Sequence, residues 1–230
     1  MALSPFLRLL GCAALAVSLA ACGDGRSDPL VQGVRTIVGA TGLGGGAVAA
    51  TGPALTAATV PPAVVAQLQG PLILVEATRL GSASLMTRVG QNGPDATWRS
   101  PEDWGITLGA GGLLRSTRGL GFDLMATDVR PVAAALAARR TGPVDRLMVR
   151  LDGEAQELRE VHSCTLRLDG PEPVVIAGAS RSLTRMTETC QAGADRYENI
   201  YRLDSAGRTI QSDQWVGPEI GHLRITRLKE

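Results

Sequence analysis

The sequence predicts a mainly β protein built on a largely antiparallel sheet, with one or two short helices. Three observations carry that expectation. From Pro71 onward, short β-like runs recur about every ten residues, punctuated by Gly, Pro, Asp and Ser. Most connections between them are too short for parallel crossovers, so neighbouring strands run antiparallel. Gly (28) and Pro (13) are frequent while aromatic residues make up only 3%, so turns are abundant and an aromatic platform for stacking a ligand is not expected.

A leader comes first. The apolar run from Leu9 to Ala21 follows a single basic residue, Arg8, and stops short of the roughly 20 apolar residues that a spanning helix needs. It reads as the apolar region of a secretory signal. The run closes on Leu19-Ala20-Ala21-Cys22, which resembles the bacterial lipobox at all four positions. In that motif the cysteine thiol receives a diacylglycerol and becomes the first mature residue, which makes Cys22 a palmitoylated membrane anchor. The rival is an ordinary Ala-x-Ala cut that leaves Cys22 an idle thiol. On the lipobox reading, residues 1–21 are a lipoprotein signal peptide, 22–29 a flexible tether and 30–230 a single β-rich domain. The seven polar, Gly-rich residues from Gly23 to Pro29 hold that domain within roughly 25 Å of the bilayer. Gly23 stands where an Asp would retain an enterobacterial lipoprotein in the inner membrane, so an outer-membrane site facing the periplasm is expected.

Charge narrows the partners. Removing Arg8 from 23 basic residues leaves 22 against 22 acidic ones, and a neutral mature chain argues against nucleic acid or an anionic lipid surface as the main partner. Two cysteines remain beyond the anchor, Cys164 and Cys190. In an exported chain an even pair favours a disulfide, and closing this loop contributes roughly 3 kcal/mol in the chain-entropy model. Two cysteines with no nearby His or Cys couple do not resemble a zinc site, and no cofactor is expected.

The elements follow in order. Asp28-Pro29 is a helix start, and apolar residues at 30, 31, 34, 37 and 38 fall on one helical face. The Gly-rich run 39–62 lacks the Lys-Ser/Thr of a phosphate loop, a clean preceding strand and an acid about 20 residues on, so it reads as a flexible surface loop. Strands are predicted over 71–78, 83–90, 95–100, 105–109, 112–121, 145–153, 162–170, 173–179, 183–190, 197–204, 208–217 and 222–229. One helix of about three turns interrupts them at 130–140, with an early Pro, strong helix formers and a basic last turn. Asp204 to Gly207 fits a tight hairpin turn. Tyr197, Tyr201 and Leu203 line an apolar face of its first strand, and Thr209, Gln211, Asp213 and Trp215 a polar face of its second, so the hairpin should cover a core from one side.

No run carries a catalytic signature. His162 and His222 belong to no His-Glu-x-x-His, and Gly178 to Ser182 lacks the second Gly of a nucleophile elbow. A Ser-His-Asp site assembled from distant residues has less support than two solvated strand-end histidines. The acid pairs Glu102 with Asp103 and Glu157 with Glu160 read as solvated faces rather than a glycosidase couple. Arg115 and Arg118, flanking Thr117, are candidates to grip an anionic sugar, though arginines on a strand edge also serve to keep it soluble. Trp98 and Trp215 are the aromatic candidates for glycan or partner contact. Trp98 competes with a scaffold role, since a core poor in aromatics depends on the few it has.

Two blocks carry a resemblance. Trp98, Ser100, Gly112, Thr117, Gly119 and Leu120 in WRSPEDWGITLGAGGLLRSTRGLG stand at the marked positions of the YjbF/GfcB lipoproteins, the group 4 capsule polysaccharide lipoprotein family. Tyr201, Asp204, Gly207, Ile210, Ser212, Gln214 and Gly217 are similar to that family's closing hairpin, with Ala206 where Thr is common. The resemblance implies a strongly curved, half-barrel-like sheet and an accessory role in making or exporting exopolysaccharide or capsule, with the glycan or an export protein as partner. It implies no catalytic residues, and the chain reads as non-enzymatic. Two rival readings stay open. A groove lined by Leu, Val and Met would favour a carrier of acyl chains, and two carboxylates facing across a cleft would favour a hydrolase of envelope glycans.

Overall fold

The computed structural model describes residues 55–230. Cys22, the signal peptide, the tether and the predicted helix at 28–38 lie outside them. Twelve strands form one antiparallel sheet: β1 (Leu72–Ala77), β2 (Ser82–Asn92), β3 (Asp95–Arg99), β4 (Gly105–Leu108), β5 (Leu114–Arg118), β6 (Ala126–Thr127), β7 (Gly142–Leu151), β8 (Glu157–Ile176), β9 (Ala179–Ala192), β10 (Asp195–Leu203), β11 (Thr209–Gly217) and β12 (Gly221–Lys229). The spatial order is β5-β4-β3-β2-β1-β12-β11-β10-β9-β8-β7-β6. First and last strands are thus neighbours, Leu72 lying opposite Lys229. The sheet curls into a nearly closed barrel, further round than a half-barrel, and Thr117 N–H donates to the Leu124 carbonyl at 2.9 Å where its two ends meet.

Strand alternation fills the barrel. Ile73, Val75 and Ala77 of β1 join Met86, Ile106, Leu108, Leu223 and Ile225 in one interior cluster, to which Trp98 and Trp104 add their rings. The up-and-down order places turns alternately at two ends. At one end helix α2 (Arg130–Ala137) closes the mouth, burying Val132 and Leu136 with Leu113, Leu166, Tyr201 and Leu203. There the 204–207 turn comes so close that only glycine fits: Gly207 has φ +78°, and a Cβ would sit 3.1 Å from the Ala137 carbonyl. At the other end, among the described residues, no α-helix lies across the mouth, and Trp104, Trp215, Leu120 and Ile220 close it with side chains.

Three departures from the sequence reading have physical causes. The segments 162–170 and 173–179 are one strand, because a register shift between Leu168 and Gly170 absorbs the Asp-Gly-Pro break without ending β8. The last part of the Gly-rich run is not a loose loop. Leu55, Ala57 and Val60, with Val64 and Leu68 around the short helix α1 (Pro62–Gln67), form a strap over Leu72, Leu74 and Leu85 on the barrel's outer face. Burying each of those leucines contributes about 1.5–3 kcal/mol. The hairpin of β10 and β11 is covered on both faces, since Gln211 is buried and bonded to Thr226, and Asp213 is ion-paired to Arg202 and Arg224.

The outer layer explains that covering. Beyond the Gly142–Leu166 pair β8 has no β7 partner, and β9 has no β10 partner before Thr184. The two strands continue as a free ribbon that places Val174, Ile176 and Leu183 in a cluster with Ile210 and Leu228, and Ala177 N–H donates to the strap's Ala57 carbonyl at 2.8 Å. Pro171 and Pro173 stand on its unpaired edge, where their missing N–H groups break a row of donors that another strand would pair with.

Candidate functional site

A polar column inside the barrel leads to the side-chain-closed mouth. Arg146 and Glu188 are buried at 3% and 0% exposure. Arg146 donates to both carboxylate oxygens, at 3.3 and 2.9 Å, and to the Tyr201 hydroxyl at 2.8 Å. Tyr201 O–H and Asn199 Nδ2 donate to Glu188 in turn, at 2.7 and 2.8 Å. Burial pulls the Arg146 pKa down, but attraction to Tyr201 and Glu188 outweighs it, and the guanidinium is held above its ordinary value. Burial first, and the Glu188 charge after it, push the Tyr201 hydroxyl well above its own, so it stays a donor. The column is therefore a fixed ion pair with its hydrogen bonds made.

Asn199 passes this order outward. Its side-chain oxygen accepts the Trp215 N–H at 2.8 Å, at the point where β11 has left the ladder with β10. The Trp215 ring is thereby turned onto Tyr197, stacked at 4.2 Å with 12° between the planes, rather than onto the polar face that strict alternation gave it. The Arg150 guanidinium lies over the Trp215 ring, 5.1 Å from its centroid, and pairs with Glu160. Tyr197 O–H is 2.6 Å from His162 Nδ1, and His162 Nε2 faces Glu160 at 3.8 Å. Trp215, Arg150, Glu160, Tyr197 and His162 thus form one cluster at the mouth, in which Tyr197 and the Arg150 guanidinium cover the two faces of the Trp215 ring. What the cluster can offer a partner is the ring edge, the guanidinium and the Glu160 carboxylate, a set that suits hydrogen bonding.

The other sequence candidates scatter. Trp98 is a core residue at 5% exposure, packed with Trp104 and Ile106, so its ring serves the scaffold. Arg115 is exposed and pairs with Asp95, whereas Arg118 donates to the Thr117 and Leu124 carbonyls and braces the loop after β5. They do not converge on a common ligand position. Cys164 and Cys190 stand directly opposite across β8 and β9 and are bonded, with Cα atoms 4.0 Å apart. Both sulfurs lie near Glu188, but cysteines spent in a disulfide offer no thiolates to a metal. His162 is a buried member of the cluster rather than a solvated strand end, and His222 Nε2 meets the Glu198 carbonyl at 2.8 Å.

Sequence reasoning missed Arg146, Arg150 and Glu188. The available signal was parity: Arg146 and Arg150 share their phase in β7 with Val144 and Met148, and Glu188 shares its phase with Met186 and Cys190. An ionisable residue in the inward phase of a strand must find a buried partner.

The rival readings find less support. A space beside Ile73, Leu108, Ile210 and Ile225 measures about 10 Å³, no more than one water fills. A larger groove of about 480 Å³ lies outside the barrel, along α2 and the first residues of β7, with Arg140 and Asp145 among its lining residues. Neither is a Leu-, Val- and Met-lined acyl groove. Glu188, the one fully buried carboxylate among the described residues, is ion-paired to Arg146 and faces no second acid across a cleft.

Comparison with known proteins agrees with the architecture. No curated protein matches the chain at a significant level. A solved structure, that of the hypothetical lipoprotein YmcC from Escherichia coli (K12), superposes with a TM-score of 0.63 at 20% identity, covering 72% of this chain and 87% of that one. At that identity the likeness speaks for the fold. The family model described as group 4 capsule polysaccharide lipoprotein gfcB, YjbF matches residues 47–228. A match over that span, well over half of the chain, shows that the chain belongs to the group 4 capsule polysaccharide lipoprotein family.

Proposed function

We propose that the protein is a lipid-anchored accessory of exopolysaccharide or capsule production or export, acting by contact and not by catalysis. The observation that carries the reading is the family membership, joined by the lipobox at Leu19-Ala20-Ala21-Cys22. Residues 1–21 are the signal peptide, Cys22 carries the diacylglycerol and palmitate, and the domain faces the periplasm from the outer membrane. Its partners are the glycan or the proteins that export it, and the Trp215–Arg150 cluster is its proposed contact site. The mouth cluster holds its one carboxylate, Glu160, in a pair with Arg150, a contact geometry rather than an acid–base couple.

The anchor is tested with Cys22→Ser. The variant is expected to lose labelled palmitate, leave the membrane fraction and lower exopolysaccharide output to the level of the deletion strain. Palmitate retained by that variant would overturn the anchor, and wild-type output from the deletion strain would overturn the accessory role.

A further inference from the structure

The two ends of the barrel carry opposite charge. Six turns gather at the mouth closed by side chains: 78–81, 100–104, 119–125, 152–156, 193–194 and 218–220. They hold six acids, Glu102, Asp103, Asp123, Asp152, Glu154 and Glu219, against one base, Arg79. The segments at the helix-closed end hold Arg130, Arg139, Arg140 and Arg208 against Asp128 and Asp204.

Apolar side chains stand out of the acidic end. Phe122, the only phenylalanine among the described residues, is 63% exposed, and Leu80, Leu151 and Leu158 on or beside the same turns are 46%, 45% and 43% exposed. The Phe122 loop is fixed. Asp123 accepts from Thr117 Oγ1, Gly119 N–H and Leu120 N–H at 2.7, 2.9 and 3.2 Å. Gly119 takes φ +86° with its missing Cβ 3.2 Å from Trp104, so the loop is seated on the core. A large apolar side chain held in water by a rigid loop loses little freedom on binding, which is the character of an interface anchor.

We propose that this end of the barrel is a protein-docking face whose partner offers apolar pockets within a basic rim. Charge decides among the occupants. An anionic lipid surface attracts basic residues flanking an apolar patch, and these turns carry the opposite sign. A second copy docked acidic end to acidic end would set the acids against themselves, and one docked head to tail, acids to the Arg end, would repeat without closing and build an open filament rather than a defined complex. The inference rests on the accessory reading, because an accessory that acts by contact needs such a face.

The test places a photo-crosslinking benzoylphenylalanine at position 122 of the full-length chain in cells, with the same residue at Val175 on the ribbon as a control. One adduct is expected from position 122 alone, to a protein other than this chain, with the crosslinked peptide carrying Lys or Arg among apolar residues. Glu154→Lys with Glu219→Lys should reduce that adduct about tenfold by reversing the rim charge, while the melting temperature stays unchanged. An adduct to a second copy, an adduct to lipid only, an adduct insensitive to the charge reversal or no adduct each overturns the proposal. Exopolysaccharide output of the deletion strain, which reports on the accessory reading, is scored separately.

Discussion

The two ends of the barrel solve the same closure problem differently. One mouth is capped by backbone, since α2 lies across it and a ribbon of β8 and β9 folds back over the outer wall beside it. The other, among the described residues, is capped by side chains, with Trp104, Trp215, Leu120 and Ile220 filling the opening beneath six short turns. A helix cap hides its apolar surface inside the fold. Side-chain closure leaves the turns free to carry residues that packing does not require, and that end holds Phe122 and the Trp215–Arg150 cluster. What the helix-capped end gains in coverage, the open end keeps as presentable surface.

The largest expected effect tests whether side chains hold the open end. Trp98→Ala should cost about 3–5 kcal/mol, because a buried indole is removed and the barrel wall collapses only in part. Hydrogen exchange should quicken in the turns 100–104 and 119–125 while α2 remains protected. Equal loss of protection at both ends would break the distinction between them. Next comes the disulfide, which pins β8 to β9 near the 193–194 turn. Replacing both cysteines by serine should lower stability by roughly 3 kcal/mol, read from the denaturant midpoint, and unchanged stability would show that the barrel needs no staple there.

The smallest effect belongs to the ribbon over the outer wall. Burial raises the Asp213 pKa, but hydrogen bonds from Arg224 and Arg202 outweigh it and hold the carboxyl below its ordinary 3.8. A carboxyl depressed in the fold contributes stability above its unfolded value and loses it as pH falls through the folded one. The stability difference between the wild type and Asp213→Asn should therefore be full near neutrality and shrink below pH 3.8. A difference independent of pH would remove Asp213 from the forces that hold the outer layer.

Much of this architecture was legible because strands announce themselves by period and punctuation. β1, β5, β7 and β10 were each expected within a few residues of where they lie, and so was α2. The misses share a cause: they are features set by what a strand meets. A two-residue strand such as β6 has no period to detect, and the strap at Leu55 to Leu68 is apolar without a pattern of its own. Trp215 departs from its expected face because Asn199, 16 positions earlier, captures its backbone N–H. No local rule foresees that bond. The pairing of Cys164 with Cys190 was legible from count alone.

The pairing of β1 with β12 has a bearing on how the chain reaches this state. Contact between Leu72 and Lys229 joins the two ends of the described domain, so β1 keeps an open edge until the last strand has emerged. The barrel cannot close progressively behind a moving chain, and its contact order is high, which slows folding. A barrel that stays open until β12 has emerged leaves one edge of β1 unpaired through the synthesis of all the strands between them. It is also intolerant of truncation: losing β12 exposes edges on both β1 and β11, and a stop codon ahead of Gly221 should send the product to proteolysis rather than to a shortened but working barrel.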